Sequence, residues 1–405
     1  MKNLILLLWV IIIALSANIA NAQWQQTGLF GKSVYCLASD GTNIFAGING
    51  AMALSTNNGG LWTGVNNGLI SLDVRSLAIS GTNIFAGTDG GGMFLSTNNG
   101  STWAAVNNGL TNLNVISLAI SGTNIFAGTD GGGVFLSTNN GSNWTAVTTG
   151  LTNLRVPSLA ISGTNIFVGT YGGGVCFSTN NGSSWTAVTT GLTNLYVLSL
   201  AMSGTNIFVG TLGGVFLSTN NGSSWTTTGL TNLYVPSLAI IGTNIFAGTN
   251  SGGVFLSTNN GGLWTAVNTG LPANTSVYAF AIIGTDIFAG TLGGGVFKRP
   301  LSDFVTGIED NNGNTSFMVY PNPTNGKFTV QYKVPGIKNK DMSLEIYNVL
   351  GEKVYSTSAV NHQPLTIDIS SQPSGVYFLN IKTEKARLHE PFGRESYTQK
   401  LIIQK

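Results

Sequence analysis

The sequence predicts an all-β protein: a seven-bladed β-propeller followed by a small C-terminal β-sandwich of Ig-like type. Three observations predict it. The string G-T-N/D-I-F-A/V-G begins at Gly41, Gly81, Gly122, Gly163, Gly204, Gly242 and Gly284, at spacings of 40, 41, 41, 41, 38 and 42 residues. A second string, S-T-N-N-G-x-x-W, starts at Ser55, Ser96, Ser137, Ser178, Ser218 and Ser257. The third is a change of composition: charged residues are only 8% of the 405-residue chain, yet 11 basic and 9 acidic ones fall from Glu309 onward. A repeat of this length marks a solenoid, a propeller or an array, and it has to be explained before any single residue is.

The N-terminus comes first. Met1-Lys2-Asn3 is a short positive start, Leu4 to Leu15 an apolar run of 12 residues, and Ala20-Asn21-Ala22 a small-x-small cleavage site. A spanning helix needs about 18 or more apolar residues. Residues 1–22 therefore read as a signal peptide, with Gln23 as the new N-terminus. Export permits disulfides, but Cys36 and Cys176 stand at different places in the repeat. Two buried free thiols are expected.

Residues 23–303 make up the propeller. In the third unit, Val115 to Ser121 is an apolar run closed by the turn Gly122-Thr123-Asn124. Ile125 to Thr129, a Gly-rich turn at Asp130 to Gly133, Val134 to Thr138, a turn at Asn139 to Asn143, and Trp144 to Val147 follow. Short runs bounded by Gly and Asn read as a four-stranded meander. They are apolar on both faces, which suits a sheet packed between two others. A glycine every few residues excludes helix.

Four strands per unit, seven times over, make a closed propeller rather than an open solenoid, because the two ends complement each other. The seventh unit loses the pattern at Lys298-Arg299-Pro300 without a closing Trp strand. Trp24-Gln25-Gln26-Thr27-Gly28-Leu29 matches the fourth-strand run from Trp144 to Leu151. Residues 24–29 are expected to complete the last blade, and closure removes exposed sheet edges.

Residues 304–316 read as a polar linker. In 317–405, Phe317 to Val330 is a strand, a Pro/Asn turn and a strand, and Leu344 to Tyr355 is a hairpin turning at Gly351. Leu365 to Ile369, Gly375 to Lys382 and Gln399 to Gln404 are further strands. Seven short strands in this space make a small sandwich.

Charge removes whole classes of function. Between Gln23 and Asp303 there are five basic residues and six Asp, no Glu and no His. Nucleic-acid binding needs a dense basic face, which this stretch cannot supply. The net charge of +2 also argues against electrostatic binding to an anionic membrane. A Ser-His-Asp triad or a His-ligated metal cannot be built from it, and no cofactor is expected.

The S-x-N-x-G-x-x-W turn resembles the Asp-box, or BNR repeat, of sialidases, sortilin-like receptors and other bacterial propellers. Its residues here are Asn57 and Trp62, Asn98 and Trp103, Asn139 and Trp144, Asn180 and Trp185, Asn220 and Trp225, and Asn259 and Trp264. Asn stands where that family has Asp, and Asn still caps a turn and tolerates left-handed backbone. The resemblance implies a structural role, with the six tryptophans as packing residues. The repeats also look like those of the photosystem-assembly-factor propellers.

The C-terminal motifs resemble the type A sorting domain of the Bacteroidetes type IX secretion system. They are Tyr320-Pro-Asn-Pro323, the I-Y-N-V-L-G run from Ile346 to Gly351, the S-G-V-Y-F run from Ser374 to Phe378, and the tail from Lys400 to Lys405. Ala386 to Ser396 departs from the pattern and reads as an insertion. The resemblance implies export by that machinery through residues 317–405, and a secreted or cell-surface protein with no transmembrane segment in its mature chain.

A sialidase would need an arginine cluster with a Tyr/Glu nucleophile pair, and the body offers only Arg75, Arg155 and Arg299, in different blades. Xyloglucan-cleaving relatives of Asp-box propellers use two aspartates, so Asp89 and Asp130, in equivalent turns of adjacent blades, are the alternative catalytic pair. A binding module is the leading reading. Loops entering the first strand and loops joining strands two and three share one face, where equivalent positions differ between blades. One series is Ser33, Asp73, Asn114, Arg155, Tyr196, Tyr234, Ser276; two residues on it is Tyr35, Arg75, Ile116, Pro157, Leu198, Pro236, Tyr278. The second-loop series is Asn49, Asp89, Asp130, Tyr171, Leu212, Asn250, Leu292. Asp73, Arg75, Arg155, Tyr171, Tyr196, Tyr234 and Tyr278 are therefore the candidate ligand contacts, and few charges among several aromatics favour an uncharged polysaccharide or a protein.

Overall fold

The structure, a computed structural model, describes residues 23–304, 316–320, 324, 326–333, 342–349, 351–358, 365–385 and 393–403. The signal peptide read over 1–22 and almost all of the linker lie outside the described residues. The chain divides into two compact units between Pro300 and Leu301.

The first unit holds seven four-stranded antiparallel sheets, spanning 34–64, 74–105, 115–146, 158–187, 197–231, 237–266, and 277–300 together with 25–28. They are numbered 1 to 7 in that order. In sheet 3 the strands are Val115–Ser121, Asn124–Thr129, Val134–Ser137 and Thr145–Ala146. The first strand of each sheet packs beside the first strand of the next, and that of sheet 7 packs beside that of sheet 1. The result is a closed ring, a β-propeller with the first strands innermost. Sheet 7 takes its outermost strand from the other end of the chain, because Gln25–Gly28 pairs antiparallel with Gly295–Pro300.

Sheets buried on both faces need apolar residues at every position of the middle strands. Asn124–Thr129 and its equivalents are buried almost end to end. Between sheets 2 and 3, Phe85 and Met93 of one meet Val115, Ile125, Ala127, Phe135 and Trp144 of the other. Each such large side chain contributes roughly 1.5–3 kcal/mol on burial. Gly128 sets how closely the sheets approach: a Cβ there would collide with Ser117 Oγ and lie 2.6 Å from the Val156 carbonyl oxygen of sheet 4. Gly47, Gly87, Gly169, Gly210 and Gly248 are hemmed in the same way, which is why each repeat string ends on glycine.

The second unit has three strands in one sheet, Ser316–Tyr320, Lys327–Lys333 and Leu365–Asp368. Four more, Met342–Asn348, Lys353–Ser358, Gly375–Lys385 and Gly393–Ile403, form the other. Phe328, Val330 and Ile367 of the first sheet share one core with Leu344, Ile346, Leu379 and Leu401 of the second. This is a two-sheet sandwich. The segment read as an insertion from Ala386 is in part strand: Lys385 pairs with Gly393 and Lys382 with Ser396, so the last hairpin is longer than the sequence pattern implied.

Candidate functional site

The two faces of the ring are built differently. On one, every S-T-N-N-G turn repeats one hydrogen-bond scheme. In sheet 3, Ser137 Oγ accepts from Gly141 N at 2.9 Å and donates to Asn139 Oδ1 at 3.0 Å, which also accepts from Asn143 N at 2.9 Å. Asn140 (φ 55°) and Gly141 (φ 82°) are left-handed, as the turn requires. The asparagine oxygen does the accepting, and in three turns its amide also donates, from Asn98 to Thr102, Asn180 to Ser184 and Asn220 to Ser224.

The tryptophans after these turns are not equivalent. Trp103, Trp144, Trp185 and Trp225 are buried and donate Nε1–H to the carbonyl oxygens of Val65, Val106, Val147 and Val188 in the preceding sheet. Trp62 and Trp264 are only half-buried, though each still packs against a core cluster. The reason is local: the valine is replaced by Thr27 in front of Trp62 and by Thr228 in front of Trp264, in fourth strands shortened to W-x-x-T-G-L. Trp264 Nε1 reaches Thr228 Oγ1 at 3.2 Å, while Trp62 Nε1 is buried without a partner among the described residues. Cys176 is buried as expected, but Cys36 is only partly so, and both thiols are free.

The opposite face carries the variable series. Within each sheet the two series meet through one backbone hydrogen bond: Asp89 N donates to Asp73 O, Asp130 N to Asn114 O and Tyr171 N to Arg155 O, with equivalents in the other four sheets. The residues two places on sit at irregularities of the ladder. Tyr35, Arg75, Ile116, Leu198 and Tyr278 each fall at a β-bulge, skipped in the pairing of the first strand with the second. A bulge re-aims a side chain; in sheets 4 and 6 the equivalent residues are Pro157 and Pro236, which directly precede the first strand.

Three clusters result. In sheets 1 and 2, Arg75 pairs with Asp73 at 2.6 Å and Asp89 at 3.5 Å, and its guanidinium lies 4.1 Å from the centroid of the Tyr35 ring. In sheets 6 and 7, the rings of Tyr234 and Tyr278 are 6.4 Å apart, and burial, aided by Tyr234, pushes the Tyr278 phenol up to about 12. The longest cluster crosses three sheets. Arg155 pairs with Asp130 at 3.4 Å and covers Tyr171 at 4.4 Å, and Tyr171 meets Tyr196 edge-on at 4.9 Å. Isolated β-bridges between Asp130 and Arg155, and between Tyr171 and Tyr196, tie these loops together by their backbones as well.

All seven candidate contacts thus lie on this face, and all but the two separate pairings Asp73–Arg75 and Tyr234–Tyr278 join one run. Asp89 and Asp130 are each held by the arginine of their own cluster. Sequence reasoning passed over the leucines of the T-N-L loops, Leu113, Leu154 and Leu195, which are exposed here; their recurrence beside the variable positions was the available signal. Among the described residues, no three His, Cys, Asp or Glu side chains come together as a metal site, and no helix is long and apolar enough to cross a membrane.

Comparison with known proteins follows the same division. Residues 318–404 match the family model of the secretion system C-terminal sorting domain, and residues 6–174 match the DUF6242 beta propeller domain. The chain therefore carries a type IX sorting domain behind a β-propeller. A search of curated protein sequences returns no match. Among solved structures, YCF48 bound to D1 peptide is similar with a TM-score of 0.56 and 14% identity, over 68% of this chain and 94% of that one. PorZ, an essential surface component of the type IX secretion system of Porphyromonas gingivalis, gives a TM-score of 0.54 and 15% identity over 90% of this chain and 59% of its own. The GH74 enzyme of Niastella koreensis gives 0.50 and 19% identity over 67% of this chain and 43% of that enzyme. At these identities the likeness is one of fold.

Proposed function

We propose that the protein is a non-enzymatic recognition module, delivered to the cell surface or the medium by its sorting domain, whose variable rim binds an extracellular polysaccharide or protein. The observation that carries this reading is the run Asp130–Arg155–Tyr171–Tyr196. It places charged, aromatic and backbone groups of three sheets in one contact network on the face whose repeats diverge most. Rigid strands hold these loops at fixed spacing, so recognition requires little ordering. A peptide bound to the similar propeller YCF48 is in keeping with it.

The second reading is a glycoside hydrolase using Asp89 and Asp130. The fold likeness to a GH74 enzyme keeps it in view. Against it, each carboxylate is already engaged by an arginine. The experiment is a glycan and surface-protein array probed with wild type and with Tyr196→Ala/Tyr234→Ala. Binding weakened by about 2 kcal/mol or more, with an unchanged melting temperature, is expected if these tyrosines are anchors. Equal binding by both proteins places the site elsewhere. Hydrolysis of sialosides, xyloglucan or another β-glucan that disappears in Asp89→Asn/Asp130→Asn establishes the enzyme instead.

A further inference from the structure

The loops that cross the variable face, from the last strand of one sheet to the first strand of the next, carry a second series of side chains outside the three clusters. Phe30 (70% exposed), Ile70 (80%), Leu72, Leu113, Leu154 and Leu195 all stand on them in solvent. With Tyr196 and Leu292 they make up most of the exposed large apolar side chains among the described residues. The others are Leu61 and Leu263, on the S-T-N-N-G turns of the opposite face, and Ile282 in an inner strand. Single exposed apolar residues are ordinary, but a set gathered on one face marks an interaction surface.

The backbone fixes this set as an arc. Leu113 O accepts from Gly92 N, Leu154 O from Gly133 N, and Leu195 O from Gly174 N, so each leucine is tied across the turn of the preceding sheet. The side chains lie over those turns: a Cβ on Gly133 would sit 3.1 Å from Leu154 Cδ2, and one on Gly174 3.0 Å from Leu195 Cδ2. Their inner sides are supported and their outer sides are open.

Charge and aromatic geometry say what the arc fits. The rim loops hold three basic groups, Lys32, Arg75 and Arg155, against three acidic ones, Asp73, Asp89 and Asp130. Both arginines are already paired within the rim, so it presents no net charge to complement an ionic partner. A sugar ring needs an open aromatic face, yet guanidinium groups lie over Tyr35 and Tyr171, and Tyr196 meets Tyr171 edge-on. Phe30 and Tyr196 apart, what stands free on these loops is aliphatic.

We propose that this arc is the contact surface for an uncharged, apolar polypeptide segment. The proposal rests on the rim-binding reading above and decides between its two partner classes.

The test is selection of a random-peptide phage library on the full exported protein, with the selected peptides then titrated in solution. Peptides rich in Leu, Ile, Phe or Trp and without net charge are expected. Ile70→Ser/Leu72→Ser and Leu154→Ser/Leu195→Ser should each weaken their binding about tenfold or more, as loss of an interface anchor does. Leu61→Ser/Leu263→Ser, each 67% exposed on the opposite face, should leave binding and the melting temperature unchanged. Selection of charged peptides, no enrichment, or equal loss in the Leu61/Leu263 control overturns the proposal. An uncharged glycan whose binding depends on Tyr196 and Tyr234 but not on the leucines also overturns it, while sparing the rim as the binding face. A partner whose binding is untouched by every rim variant removes both.

Discussion

Cys36 shows how tightly the inner strands are held. Its Sγ lies 3.6 Å from the Val74 carbonyl oxygen of sheet 2, in the place where Ser117, Ser199 and Ser237 donate hydrogen bonds to Val156, Val235 and Val277. Burial pushes the thiol up to about 12, although the backbone hydrogen bond from Gly47 and the charge of Arg75 pull the other way. A raised value in the folded state stabilises the fold below the unfolded value of about 8.5 and loses that contribution as pH climbs from there toward 12. Wild type should therefore lose stability relative to Cys36→Ser as pH rises above about 9, measured by denaturant melts across pH. In the same protein, iodoacetamide at pH 8 should label Cys36 only after unfolding, since the thiolate is the nucleophile.

At the scale of the element, the fourth strand is the variable part of the repeat. In sheets 1, 2, 3, 4 and 6 it is two residues long, and its hold on the sheet comes from the tryptophan before it. Trp144→Ala should cost about 3–5 kcal/mol, because it empties a closed site and leaves the Val106 carbonyl without its donor. Trp62→Ala should cost clearly less: the ring is half-exposed and its N–H makes no hydrogen bond among the described residues. Urea titrations of the two variants check the order, and equal losses would show that the Trp62 ring is as well packed as its repeats.

For the whole molecule, the join between sheets 7 and 1 differs from the other six. Ala53 stands where five other sheets have Phe, and Ala279 stands where Ser or Cys reaches the next sheet. In partial replacement, Asn58 Nδ2 donates to Asp286 Oδ2 at 2.7 Å, and Lys298 Nζ lies 3.8 Å from the same oxygen. Asp286 and Lys298 stand where the other six repeats have Asn and Leu or Phe. The non-covalent strand Gln25–Gly28 therefore matters more than its length implies: Trp24 N and Nε1 also donate to Thr269 O and Val267 O of sheet 6. Deleting residues 23–30 should lower the thermal midpoint sharply or cause aggregation through the exposed edge. Deleting 317–405 should instead leave a folded propeller retained in the periplasm, read by fractionation and by a melt of the retained protein.

Repeat length, turn positions, the four-strand unit and the composition step at the second domain are legible in the sequence because each is set within a few residues, by glycine, asparagine and runs of β-branched side chains. The complementarity of Trp24–Leu29 with the missing strand of the seventh unit is visible there too. Tertiary structure alone decided which variable residues act together. Asp130, Arg155, Tyr171 and Tyr196 come from different repeats, and their contacts depend on how far one sheet is rotated against the next. It also decided that Leu113, Leu154 and Leu195 face solvent, since an apolar residue beside a strand reads as core until the neighbouring turn is placed. Local backbone preferences act along the chain, whereas the rim is made by packing across it, and only the closed ring brings those residues to one face.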